Sequence, residues 1–492
     1  MLALVLAVLS GLGLRLFIAR SSLGEMNADE AIVGLMARHV LQGEFPAFYW
    51  GQEYGGSLEA ILAAPLLALA PTSVAAVKAV PQIFHLVGVG LCYLIGRRIA
   101  TRKAGLLAGA LFWMWPAFSV WWSTKESGFY GVALVAGLAS WLLALRIDER
   151  SRARDWGSLG FVAGQGWWAS PQIAFFLLPL GLWLLVRRRA SLVGVSLATL
   201  SAGIGAAPWI YANVRSDWAS FIVPPVPTAD PYPARLASFF IEALPAFFGL
   251  RLQGEFGHWF FDPLGMVAFA LTIGLLATAL LLQGHLLVRL AIVLYPFVYA
   301  ISPLSRGEPR YLYLLAPMLA FLIATALTVD WQRVGVVVVM SALAAANIVA
   351  MDEGRIGTPA APDVLISGDL RELAADLEDE DVATFYADYW VAYPVAFYSQ
   401  ERVIGTPFRG TLRNEDWAAH VRGAEGSHYV LADGSETANI VRQAFLVAGA
   451  AFEEVDLPGF QLISSPVSLP PEAIPALQAP ELEPELKARL GQ

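Results

Sequence analysis

The sequence predicts an α-helical polytopic membrane protein, with about 11 transmembrane helices of the roughly 20 residues each needs, and a C-terminal extracytoplasmic α/β domain. Three observations predict it. Of 492 residues, 57% are hydrophobic and 15% charged, whereas soluble domains carry about 25% charge. Long apolar runs recur through residues 1–350 and then stop. The charge divides at the same place: residues 1–350 hold 17 acidic and 23 basic side chains, residues 351–492 hold 24 and 9, so +6 and −15 sum to −9. The chain thus reads as a transmembrane domain (1–350), a soluble domain (351–463) and a Pro-rich flexible tail (464–492).

Taken in order, the candidate spans are 2–19, 77–97, 104–122, 127–145, 157–168, 171–186, 190–211, 263–282, 286–303, 311–328 and 334–350. The pair 157–186 is broken at Pro171, as a bent hairpin would be. Arginines and lysines in short loops set the orientation. Arg97, Arg98, Arg102 and Lys103 form one basic loop, Arg146, Arg150, Arg152 and Arg154 a second, and Arg187, Arg188 and Arg189 a third. All three face the cytoplasm if residues 57–71 lie on the outer surface as an interfacial helix. The amino terminus is then cytoplasmic and the soluble domain extracytoplasmic. Arg15 and Arg20, at the outer end of the first span, run against this orientation, and no cleavable signal peptide is recognisable. Inner loops are short; outer loops are long, at 20–76 and 212–262. Chemistry is therefore expected at the outer membrane surface.

Beyond Met351 the pattern changes to short alternating elements. Strands are expected at Val382–Tyr386, His428–Ala432, Phe452–Val455 and Phe460–Ile463, with helices at Asp388–Tyr398 and Glu436–Ala448. From Ser464 onward, six prolines and scattered acids suggest flexibility. The domain shows no nucleophile–base pair or metal constellation, and its expected role is to cover or bind near a membrane active site.

Several functions are excluded. A single cysteine, Cys92, rules out a disulfide framework and a thiolate zinc site. Six scattered histidines show no paired metal spacing, and no phosphate-binding or dinucleotide glycine motif is present. The net charge of −9 argues against nucleic acid as a partner.

The most informative stretch is Asn27-Ala28-Asp29-Glu30, where the first span meets the outer surface. Asn27 and Glu30 have the spacing of a capping box. An adjacent Asp-Glu pair at the mouth of a helical bundle can equally supply a general base, a metal ligand or both. A capping Glu30 leaves Asp29 available for catalysis. Arg306, Arg310 and Tyr311 sit at the outer end of a late span, suited either to anchoring at the interface or to gripping phosphate. Lys125, in a tight outer loop, is a further phosphate candidate, against the reading of a solvated turn. Tyr49, Trp50 and Tyr54 could stack on a sugar or belong to an aromatic belt. Glu53 and Glu59 are candidate second carboxylates; Glu59 lies on a hydrophobic helix, where a charge needs a reason. His258, flanked by Glu255 and Asp262, is a candidate acceptor or metal contact, weighed against a plain interfacial histidine.

An Asp-Glu pair shortly after the first span resembles the protein O-mannosyltransferases, the lipid A aminoarabinose transferases and the Rgt-type membrane glycosyltransferases, all of the GT-C class. The likeness continues in order. Tyr49 to Ala60 (YWGQEYGGSLEA) is similar to the class's second surface motif, and Gly164 to Pro171 (GQGWWASP) to its broken hairpin. Glu308-Pro309-Arg310-Tyr311-Leu312 resembles an Arg-Tyr motif opening a late span, and Tyr386-Ala387-Asp388-Tyr389-Trp390 a segment of relatives with an added outer domain. No Lys-Pro follows Glu53, so the sugar and acceptor of the aminoarabinose enzymes do not carry over.

The resemblance implies a polyprenyl-phosphate-linked sugar as donor and a lipid, polysaccharide or protein hydroxyl as acceptor, joined with inversion at the membrane surface. Asp29 would be the base, with Glu30 supporting it or holding a divalent metal, and Arg306, Arg310, Tyr311 and Lys125 would meet the phosphate. Two other classes compete: a transporter or lipid flippase, disfavoured by the lack of internal repeats and mid-span charge, and a non-catalytic scaffold, for which Asp29 and Glu30 would be dispensable. Within the transferase class, a ligase using a pyrophosphate-linked donor is a further alternative.

Overall fold

In the computed structural model the chain is described at residues 2–222, 230–251, 258–260, 262–282, 284–361, 364–366 and 368–478. It is a multi-pass helical body followed by a mixed α/β domain. Among the described residues, five helices are long and apolar enough to cross a membrane: Val74–Ile99, Tyr130–Arg150, Leu264–Leu282, Pro309–Ala326 and Asp330–Glu353. Two bent pairs raise the number to seven. The expected eleven spans are therefore not all continuous helices. The run 104–122 breaks at Pro116 into Arg102–Met114 and Ala117–Trp122, and the run 190–211 bends by 63° after Gly205. The expected hairpin at 157–186 is built as Ala153–Ala169 and Ala174–Val186, separated at Ser170 and Pro171.

Small residues allow these helices to approach closely, as apolar helices in lipid require. A methyl group added at Gly160 or Gly164 would collide with the carbonyl oxygens of Ala198 and Ala202 on Leu192–Gly205. The first helix, Leu2–Ile18, turns by 85° into the segment that contains Ala28–Leu41. The helix Leu58–Leu69, with 12 residues, is too short to span a bilayer.

The C-terminal sheet has five strands in spatial order Ile404–Pro407, Thr384–Ala387, Ser427–Ala432, Phe460–Ser465, Glu453–Leu457. The first three run parallel, and the last two join antiparallel. The expected helix at 388–398 is Tyr389–Tyr398, capped by Asp388, whose Oδ1 accepts from Trp390 N–H at 2.9 Å. The strand Ile404–Pro407 and the helices Leu370–Asp379 and Glu415–Arg422 were not expected. The flexible tail expected from Ser464 is corrected for its first part: Ser464 and Ser465 complete a strand, and Ile474 and Leu477 are buried against the sheet. Proline-rich sequence can pack where it carries apolar anchors.

Helix Tyr389–Tyr398 lies on helix Ala28–Leu41. The fit is close: a Cβ at Gly34 would stand 2.5 Å from a ring carbon of Phe397. Arg38 and His39 both reach Glu401 of the C-terminal domain, at 3.1 and 3.0 Å. The domain is thereby fixed along the middle and last turn of the body's second helix.

Candidate active site

The site begins at the amino end of Ala28–Leu41. Asn27 accepts from Glu30 N–H at 3.0 Å, and the Glu30 carboxylate accepts from Asn27 N–H at 3.1 Å, completing the capping box. That reciprocal bond points the two adjacent carboxylates to different surroundings. Glu30 is wholly buried, 2.5 Å from Lys78 Nζ and 3.4 Å from Lys125 Nζ, and accepts from Glu126 N–H at 3.2 Å. Asp29 is 26% exposed and lines a cavity of about 460 Å³.

The hairpin Phe48–Tyr49/Gln52–Gly56 forms one wall. Strand alternation sends Gln52 and Tyr54 to the cavity and leaves Glu53 exposed. Tyr49 donates to the Asp29 carbonyl at 3.1 Å. Gly51, at φ 63°, makes the turn where a side chain would meet the Leu412 carbonyl at 2.6 Å, so the hairpin tip docks on the C-terminal domain. Phe129 stacks on Tyr130 at 5.1 Å and meets Tyr49 and Tyr54 edge-on, giving the cavity an aromatic side. Facing Asp29 is the segment that opens Pro309–Ala326. It brings Arg306, Glu308, Arg310 and Tyr311 to the wall. Arg306 is paired with Asp230 at 2.8 Å, and Arg310 with Glu308 at 3.4 Å.

The last wall comes from the C-terminal domain. Tyr389 Oη donates to Asp29 Oδ1 at 2.5 Å, and Arg413 Nη2 lies 3.5 Å from the same oxygen. Arg413 Nε donates to Tyr389 Oη at 3.1 Å, and its backbone N–H donates to Tyr393 Oη at 2.8 Å. With the Gln52 amide turned so that its oxygen faces Arg413, that oxygen accepts from both terminal nitrogens, at 2.8 and 2.5 Å. Burial and the Asp29 charge push the Tyr389 and Tyr49 hydroxyls well above the usual phenol range, keeping them neutral donors. Burial alone would lower Arg413, but Tyr49, Tyr389 and Asp29 raise it, so the guanidinium stays charged.

Of the expected site residues, the cavity gathers Asp29, Tyr49, Tyr54, Arg306, Arg310 and Tyr311. Six others lie elsewhere. Glu30 neither faces the cavity nor shares a ligand set with Asp29, because the capping box turns it inward to two lysines. Lys125 is committed to Glu30 and to the Glu25 carbonyl (2.5 Å), not to a phosphate pocket. Trp50 packs between His39 and Trp417 as part of the hairpin–domain contact. Glu53 is exposed on the strand's outer face. Glu59 is buried in the body, accepting from Val132 N–H at 2.8 Å. His258 is exposed and edge-on to Phe260; Asp262 is described, and Glu255 lies outside the described residues. Among the described residues no group of three or more His, Cys, Asp and Glu side chains is placed to hold a metal.

Sequence reasoning missed Gln52, Tyr130, Gln172, Asp230 and, above all, Arg413 and Tyr389. Tyr389 lay inside a noted motif without a role. Nothing around Arg413 marks it, since its partner Asp29 is 384 residues away in the chain.

Compared by sequence, the chain matches no family model and no curated protein. Compared by structure, it has the fold of a GT-C membrane glycosyltransferase. ArnT from Cupriavidus metallidurans in the apo state superposes with a TM-score of 0.60 at 13% identity, over 96% of this chain and 99% of that one. The same protein bound to undecaprenyl phosphate superposes with a TM-score of 0.57 at 13% identity, over 97% and 99%. The Archaeoglobus fulgidus oligosaccharyltransferase in complex with Zn and sulfate gives a TM-score of 0.49 at 14% identity, over 93% of this chain and 72% of that one.

Proposed function

We propose that the protein is an inverting glycosyltransferase that moves a sugar from a polyprenyl-phosphate donor to an acceptor hydroxyl at the extracytoplasmic membrane face. One observation carries the reading: the Asp29 carboxylate and the Arg306/Arg310 pair stand on different walls of one cavity with an aromatic side. Such a transfer needs a base for the acceptor proton, cations for the departing phosphate and a surface for a sugar ring. The fold supports the donor class, because an ArnT with this architecture is known bound to undecaprenyl phosphate.

In the reaction, the acceptor oxygen attacks the anomeric carbon as the bond from that carbon to the phosphate oxygen breaks. The bonding electrons leave with the lipid phosphate, and the acceptor proton passes to Asp29. Arg306 and Arg310 balance the charge that develops on the phosphate. To do so they must exchange Asp230 and Glu308 for phosphate oxygens, and guanidinium forks match phosphate geometry well. The acceptor is a lipid, polysaccharide or protein hydroxyl.

The test is a panel of polyprenyl-phosphate sugars offered to the protein in lipid nanodiscs, with Asp29→Asn alongside. Donor-dependent thermal stabilisation in both, and sugar release in the wild type alone, is the expected result. Stabilisation by no monophosphate donor would refute the donor class.

A further inference from the structure

We propose that the C-terminal domain completes the active site, with Arg413 and Tyr389 as positioning residues for the base Asp29. The inference rests on the transferase reading and deepens it. Both contacts from the domain fall on one oxygen: Tyr389 Oη lies 2.5 Å and Arg413 Nη2 3.5 Å from Asp29 Oδ1. Among the described residues, Oδ2 has no hydrogen-bond partner, while Asp29 borders the cavity. The carboxylate is therefore held by one oxygen and presents the other to an incoming hydroxyl. Arg413 is itself held on several sides. Its side chain is 8% exposed, it donates to Tyr389, its guanidinium stands 5.4 Å from the Tyr49 ring, and its backbone is tied to Tyr393. Asn414, the next residue, caps the helix Glu415–Arg422, which fixes the chain direction at Arg413. A surface arginine meeting a carboxylate by chance would not carry this support. A soluble domain that only shielded the membrane site would have no reason to aim a buried arginine at Asp29.

The test separates aiming the base from binding the donor. Arg413→Gln, Arg413→Lys, Tyr389→Phe and Asp29→Asn are assayed in nanodiscs with the donor that stabilises the wild type. The natural acceptor is then replaced by azide, an anionic nucleophile that attacks the anomeric carbon and has no proton to lose. With a hydroxyl acceptor, Arg413→Gln should lower kcat by about tenfold to a hundredfold, the scale on which misplacing a reacting group is felt, with donor KM unchanged. Tyr389→Phe should lose less, and Arg413→Lys should recover part of the Gln loss. With azide, all four variants should release sugar at the wild-type rate. A raised donor KM in Arg413→Gln, with azide turnover equally slow, would overturn the proposal and make Arg413 a donor ligand. So would wild-type kcat in both Arg413→Gln and Tyr389→Phe. An Asp29→Asn variant that keeps its hydroxyl turnover would instead sink the base assignment, a different failure.

Discussion

The helix Tyr130–Arg150 connects two charged hollows that look alike in composition and differ in construction. At 21 residues it is about 30 Å long. Tyr130, at one end, borders the cavity that holds Asp29; Arg146 and Arg150, at the other, border a second hollow of about 240 Å³. The first hollow balances three carboxylates (Asp29, Asp230, Glu308) against three guanidiniums (Arg306, Arg310, Arg413) and adds aromatic rings. The second is lined by charged residues alone: Arg98, Arg146, Arg150, Arg152 and Arg154 with Glu149 and Asp155. There, Arg146 pairs with Asp155 at 3.0 Å and Arg98 with Glu149 at 3.4 Å, while Arg150, Arg152 and Arg154 have no ion pair among the described residues. Charge density alone does not make a site. What distinguishes the first hollow is that its carboxylate Asp29 is held by Tyr389 and Arg413 from another domain, and that aromatic rings line it beside the charges.

If that distinction holds, the largest loss follows from Asp29→Asn. Removing a general base usually costs two to four orders of magnitude in rate, so kcat should fall by about 10²–10⁴-fold. The unfolding temperature should stay near that of the wild type, because the helix cap is made by Asn27 and Glu30 rather than Asp29. A variant that lost stability and activity together would move Asp29 into the structural class.

Its neighbour sharpens the comparison in the opposite sense. Glu30→Gln leaves Lys78 and Lys125 buried without their shared carboxylate, a change that costs about 3–5 kcal/mol when one member of a buried pair is removed. The expected signature is a lower unfolding temperature, with the enzyme that remains folded still turning over. Two adjacent acids would then have been separated by one measurement each.

Arg310→Ala should come next. A charge-assisted hydrogen bond to phosphate contributes about 1.5–3 kcal/mol, so donor KM should rise by about 10- to 100-fold while the response to acceptor concentration stays the same. Titration with a series of donor concentrations checks it. An unchanged donor KM would remove Arg310 from the phosphate wall and leave it an interfacial anchor.

How much of this was legible in the chain follows from distance along it. Asp29, Tyr49 and Tyr54 sit in one surface loop, and Arg310-Tyr311 at a span end, so local patterning and span edges exposed them. The error with Glu53 was one of strand phase, since neighbours on an extended strand face opposite sides. The errors with Glu30 and Lys125 came from treating exposed-looking loop charges as available, when each was the other's partner across 95 residues. Among the described residues five of the expected spans are single long helices, and proline and glycine split other apolar runs whose composition alone reads as continuous. Arg413 belongs to the class that no local pattern marks: an arginine in a soluble domain whose role exists only after that domain docks on helix Ala28–Leu41.

The smallest effect is expected at the second hollow. Arg150→Gln and Arg152→Gln together remove two guanidiniums that have no ion pair among the described residues and lie a helix length from Asp29. Exposed charges contribute little to stability, within about 1 kcal/mol, and at that distance salt screens their field at the cavity. Purified enzyme should therefore keep its kcat, donor KM and unfolding temperature. If this face is cytoplasmic, as the sequence predicts, such arginines help to hold it there during insertion. The double variant should accordingly lose correctly oriented protein in the membrane while each correctly inserted molecule works normally, as accessibility labelling at the C-terminal domain combined with specific activity would report. A fall in specific activity at constant orientation would mean that the two hollows communicate along Tyr130–Arg150, and the contrast between an aimed site and a topological signal would no longer separate them.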